Sequence, residues 1–181
     1  MQHKSAFYPC CANDFSEPYQ LLKEIADHIT FCDSADFCGL NWLEAEWRKA
    51  CRHNPEMLSQ AELVIEDVTI ALEKISRIDV FFYRRDGEGE GGSGTGLLDP
   101  NRKLLDVLSR FPKHGGIIIT DGSNTEWQSF EKMKSTSGYD VAEFNISPNI
   151  EQPYFAQYNL WLFNVKKVYE RKQNSHPHWG F

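Results

Sequence analysis

The stretch Ile78-Asp79-Val80-Phe81-Phe82-Tyr83 runs between Ser76-Arg77 and Arg84-Arg85-Asp86 and is the clearest short apolar run of the chain. A nearly continuous run of this length, rich in aromatic and β-branched residues, predicts a strand buried on both faces, as in a parallel sheet covered by helices on both sides. Three further runs have the same character: Ser5 to Ala12 (SAFYPCCA), Ile29-Thr30-Phe31-Cys32 closing at Asp33, and Ile117-Ile118-Ile119-Thr120 closing at Asp121-Gly122. Residues 61–72 satisfy both a strand and a helical stripe, through Leu63-Val64-Ile65 and through Val68 to Ile75. A strand is expected there.

Between these runs the period changes from two to 3.6. Ser16 stands as an N-cap before Glu17-Pro18, and Tyr19, Leu22 and Ile25 follow at helical spacing, which predicts a helix to about Ala26. Leu40, Leu43, Trp47 and Cys51 form one apolar stripe ended by Asn54-Pro55, which predicts a second helix over 40–52. Asp99-Pro100 opens a third through Leu105 and Leu108, and Ser123 with Glu126 caps a fourth before Trp127, Phe130 and Met133. The partly alternating segments 139–146 and 158–168, separated by Pro148 and Pro153, are expected to form an antiparallel pair at the sheet edge. The resulting fold class is α/β: a three-layer open sheet, mainly parallel, with a C-terminal antiparallel strand pair and helices on both faces. Residues 1–170 are expected to make a single domain and residues 171–181 a tail.

Composition narrows the chemistry. The chain has 181 residues with 19 Lys and Arg against 26 Asp and Glu, a net charge of −7, so a basic nucleic-acid surface is not expected and a basic protein partner suits it better. No run approaches the roughly 18 apolar residues of a membrane helix, and no signal-peptide layout opens the chain, so a soluble, cytoplasmic protein is expected. The five cysteines, Cys10, Cys11, Cys32, Cys38 and Cys51, are odd in number and lack CxxC or zinc-type spacing. They read as reduced thiols, with no metal site expected. The Gly-rich segment 87–96 contains GxGxxG at 89–94, but its Glu residues would repel phosphate. It reads as a mobile lid, partner-contacting loop or linker.

The order of elements, Asp33 closing the second strand, and Leu105-x-x-Leu108 followed by Pro112-Lys113-His114-Gly115-Gly116-Ile117-Ile118-Ile119 together resemble the class I S-adenosylmethionine-dependent methyltransferase fold, a Rossmann-type architecture, over about residues 5–168. The resemblance implies S-adenosylmethionine as cofactor, with Asp33 on the ribose hydroxyls and the turn after the first strand beside the amino-acid part. That turn reads Tyr8-Pro9-Cys10-Cys11-Ala12-Asn13-Asp14; Cys10, Ala12 and Asp14 stand where the family carries glycines, and no glycine is present. Arg84, Asp86 and Asp121, at the carboxyl ends of the fourth and fifth strands, would face the substrate as catalytic candidates. Two functions follow. One is a methyltransferase-like domain that binds S-adenosylmethionine or another nucleoside, with catalysis left open. The alternative is a non-catalytic acidic binding protein, such as an immunity or antitoxin-like protein that neutralises a basic enzyme.

Overall fold

The computed structural model describes residues 3–36, 38–83, 110, 112, 115–120, 146–148 and 167–171. Its core is a parallel sheet of β1 (Ser5–Pro9), β2 (His28–Asp33), β3 (Ala61–Ile65), β4 (Val80–Tyr83) and β5 (Ile117–Thr120). The helices are α1 (Ser16–Leu22), α2 (Leu40–His53), α3 (Met57–Gln60) and α4 (Val68–Lys74). Two short strands, β6 (Ile146–Pro148) and β7 (Lys167–Arg171), extend the sheet to the order β3-β2-β1-β4-β5-β7-β6, with β7 antiparallel to β5 and β6. The longer antiparallel segments expected over 139–146 and 158–168 fall largely outside the described residues. So do the loop 87–96 and the helices expected after Asp99 and Ser123.

The chain builds outward from β1 to β2 and β3, then returns across the sheet to β4 on the other side of β1. Right-handed crossovers running in opposite directions must cover opposite faces. The buried residues obey this rule. Ala6, Tyr8, Ile29, Phe31, Val80, Phe82, Ile117 and Ile119 pack in one cluster with Tyr19, Leu21 and Leu22 of α1, Leu43 and Cys51 of α2 and Met57 of α3. The alternate residues Phe7, Phe81 and Ile118 are buried on the other face, as are Val68, Ala71 and Leu72 of α4. Helix α4 is the crossover that the sequence reading missed, since a strand alone was expected over 61–72. The stretch is divided at Asp67, whose side chain accepts from the Thr69 N–H at 2.7 Å and starts a helix immediately after the edge strand β3.

Helix α1 also departs from expectation. Its N-cap is Phe15, without a side-chain capping bond, and Ser16 is the first helical residue. Packing takes the place of capping here: the buried Phe15 ring lies edge-on to Phe31 at 5.5 Å and to Trp47 at 5.2 Å between centroids. Such rings contribute about 0.5–1.5 kcal/mol per pair beyond their burial. Tyr8 continues the cluster, edge-on to Phe82 at 4.9 Å.

At the amino ends of the central strands, Asp79 joins β1 to β4. Only 4% exposed, it accepts from the Ser5 N–H at 3.0 Å, the Ser5 hydroxyl at 3.3 Å and Arg77 Nε at 2.9 Å. Its own N–H donates to Ser5 O, and its carbonyl accepts from Ile117 at the start of β5. Burial alone would raise the Asp79 carboxyl, but the Arg77 and Ser5 hydrogen bonds outweigh it and hold it below the usual range. A depressed carboxyl adds stability above its unfolded value, near 4, and loses it as the pH falls through the folded value. Acid titration of the unfolding free energy should therefore show a fall below about pH 4 that Asp79→Asn diminishes. Asp79→Ala, which strips Ser5 N–H and Arg77 of their acceptor, should cost about 1–3 kcal/mol at pH 7 in urea unfolding.

Candidate functional site

The strand order reverses between β1 and β4, and open α/β sheets take ligands in the crevice outside the carboxyl ends of the strands at such a reversal. Among the described residues, the turn 10–14 and residues 33–36 stand at this edge. Beyond Pro9 the chain leaves the strand through two left-handed residues, Cys10 at φ 54° and Ala12 at φ 44°. The backbone thus adopts glycine-type conformations without glycine. Each costs an L-residue roughly 1–2 kcal/mol, so something must hold the turn in place.

Asp33, the last residue of β2, does so. Its Oδ2 accepts from the Ala12 N–H at 2.9 Å and its Oδ1 from the Ala35 N–H at 2.8 Å. Ala35 is itself left-handed, at φ 62°, and buried. One carboxylate therefore ties together the two strained turns, through charge-assisted bonds about twice as strong as neutral ones. The Asp33 carbonyl in turn accepts from the Glu66 N–H at the end of β3, and Cys11 N–H reaches the Cys32 carbonyl at 3.2 Å. Asp14 lies at the far end of the turn, where its Oδ2 accepts from the Tyr8 hydroxyl at 2.8 Å.

Of the residues singled out from the sequence, Cys10, Ala12, Asp14 and Asp33 are brought together at this edge. Arg84, Asp86 and Asp121 lie outside the described residues. Ala35, Tyr8 and Glu66 also belong to the arrangement, and nothing in their residue types marks them. Alanine gives no hint that its N–H will anchor a carboxylate.

Three thiols near Asp33, those of Cys11, Cys32 and Cys38, are poor nucleophiles. Burial pushes the Cys11 thiol well up, and the Asp33 carboxylate adds to the rise. Cys32 is raised by burial and its neighbours, Cys38 by burial and Asp33. All five cysteines are free thiols. The described residues contain no group of three or more His, Cys, Asp or Glu able to hold a metal ion. None of their helices is long and apolar enough to cross a membrane. Beyond the turn, a groove of about 530 Å³ runs between residues 13–17 and the second half of α2, lined among others by Asn13, Asp14, Glu17, Glu46, Lys49 and His53. Glu46 and Lys49, one turn apart on α2, pair along one wall of it at 3.2 Å.

No protein-family model and no curated protein matches the sequence. Solved structures do match the fold. A spermidine synthase in complex with the transition-state analogue AdoDATO aligns with 97% of this chain and 55% of its own, at 11% identity and a TM-score of 0.52. Precorrin 8W decarboxylase from Methanobacterium thermoautotrophicum aligns with 94% of this chain and 78% of its own, at 18% identity and a TM-score of 0.50. The plantazolicin methyltransferase BpumL, in complex with a monoazolic desmethylPZN analog and SAH, aligns with 96% and 77% at 13% identity and a TM-score of 0.47. The chain spans about half the length of the spermidine synthase it matches. The fold is accordingly that of the class I methyltransferase-like Rossmann architecture.

The left-handed turn makes a direct prediction. Ala12→Gly should stabilise the protein by about 0.5–1 kcal/mol, relief of strain exceeding the added flexibility of the unfolded chain. Ala12→Val should destabilise it. The midpoint of urea unfolding reads both.

Proposed function

We propose that the crevice binds a nucleoside ligand, S-adenosylmethionine or a relative of it, with Asp33 accepting hydrogen bonds from the ribose hydroxyls. The observation that carries this reading is the state of the Asp33 carboxylate. Each of its oxygens receives one backbone amide, from Ala12 or Ala35. A carboxylate offers about four acceptor sites in all, so each oxygen retains capacity for a hydroxyl donor. The two amides also fix the plane of the group, which removes the rotational freedom that binding would otherwise have to freeze. Asp33 is half-buried, within reach of solvent and partly shielded from it.

In this reading Cys10, Ala12 and Asp14 border the 5′ side of the nucleoside, and Arg84, Asp86 and Asp121 face whatever the ligand reacts with or is presented to. Residues 1–170 act as one unit and 171–181 as a tail. S-adenosylmethionine, when bound, supplies an activated methyl group; the chain's part is to orient it, and alignment alone accelerates such transfers substantially. The likeness of fold to a spermidine synthase solved with AdoDATO supports a small ligand in this crevice.

The test removes hydroxyls from the ligand rather than the carboxylate from the protein, because Asp33→Ala would also release the turns at Ala12 and Ala35. Adenosine, S-adenosylmethionine and S-adenosylhomocysteine are titrated by thermal shift. A ligand at 100 times its dissociation constant stabilises by about 2.7 kcal/mol. At least one should raise Tm, and its 2′,3′-dideoxy counterpart should bind at least tenfold more weakly. An unchanged Tm across the panel at millimolar concentration, or equal binding of the dideoxy compound, overturns the assignment.

A further inference from the structure

We infer, independently of any ligand at the carboxyl edge, that the outer edge of β3 is an interface between two copies of this chain, joined antiparallel across a two-fold axis so that their sheets become one. β3 stands last in the strand order. Along it, backbone groups alternate between the β2 side and the outer side. The Glu66 N–H donates to the Asp33 carbonyl at 3.0 Å, so Glu62 and Val64, in step with it, also bond toward β2. Ala61, Leu63 and Ile65 face outward. The Ala61 N–H is taken by the Met57 carbonyl of α3. Among the described residues, nothing pairs with the N–H groups of Leu63 and Ile65 or the carbonyls of Ala61 and Leu63.

Such a row of groups is a template for another strand unless Lys, Pro, a bulge or a covering segment blunts it. Ala61-Glu62-Leu63-Val64-Ile65 contains no Lys, Arg, Pro or Gly. Its one charge, Glu62, is held toward β2, where it accepts from the Thr30 hydroxyl at 2.9 Å and lies 3.2 Å from His28 Nε2. The edge is therefore unguarded.

A second copy matches it residue by residue. Centred on Leu63, an antiparallel register lets Leu63 exchange both backbone bonds with its own counterpart, and lets each Ile65 N–H reach the Ala61 carbonyl of the other copy. Glu62 then stands opposite Val64, so like charges do not meet across the seam. The exposed large hydrophobics among the described residues are Leu40, Trp42, Leu58 and Ile70, all on the helices that flank β3 in the chain. A two-fold axis perpendicular to the sheet preserves its faces and exchanges its ends. Helices α2 and α3 pack on the same face. Leu58, 74% exposed just before β3, is thereby carried to the end of the seam where Leu40 and Trp42 open α2 of the other copy. A foreign strand would satisfy the backbone and leave that apolar contact unmade.

Sedimentation of the full chain over micromolar to high-micromolar concentration should show monomers giving way to dimers. Association should tighten as salt rises, because each copy carries a net charge of −7 and screening weakens their repulsion. Residue-resolved amide exchange locates the seam: the N–H groups of Leu63 and Ile65 should become protected as dimers fill, while those of Glu62 and Val64 are protected throughout. Leu58→Lys, at an exposed position that the monomer's fold does not need, should weaken association about tenfold or more. A chain that stays monomeric at every concentration overturns the proposal. So does a dimer in which exchange at Leu63 and Ile65 is unchanged, or one that Leu58→Lys leaves as tight as before.

Discussion

The turns after β1 and β2 depend on a single carboxylate gripping two backbone amides. Asp33 closes β2 and receives the N–H of Ala12 from the turn after β1 and the N–H of Ala35 from its own loop. Both alanines are left-handed, a conformation that neither would hold unaided. The same bonds that stabilise the turns use one amide on each Asp33 oxygen, fewer than the roughly four donors a carboxylate can accept. Local strain, strand pairing and the chemistry of the edge are thus one system. A change at any of the three residues is felt by the other two.

The opposite edge has an analogous device with a different purpose. There Asp79 is almost wholly buried and its hydrogen-bonding capacity is turned inward, on Ser5 and Arg77. Burial penalises the charge and the bonds restore it. The contrast is informative because the two residues are chemically identical. Asp79 aligns strands, while Asp33 is half-buried at the end of the sheet where the strand order reverses.

Much of this architecture is legible in the residues themselves. The runs at 5–9, 29–32, 80–83 and 117–120 are strands because they offer apolar groups to two covered faces, and the stripe Leu43, Trp47, Cys51 turns α2 toward the sheet. Asp33 is visible as a lone carboxylate closing an apolar run. What escapes is set by interactions distant in sequence. Residues 61–72 hold both a strand and a helix, divided by an Asp67 cap that a strand-only reading passes over. Phe15 displaces Ser16 as the N-cap because its ring is claimed by Phe31 and Trp47, residues 16 and 32 positions away. The left-handed states of Cys10, Ala12 and Ala35 have no signature at all, since the residue types argue against them.

The turn after β1 also has an evolutionary meaning. Alanine and cysteine codons each become glycine codons by a single base substitution, so a glycine-bearing version of this loop lies two point changes away, and relief of strain would favour both steps. Keeping side chains at Cys10 and Ala12 instead leaves the strain in the folded chain, where the Asp33 carboxylate holds the Ala12 N–H in place.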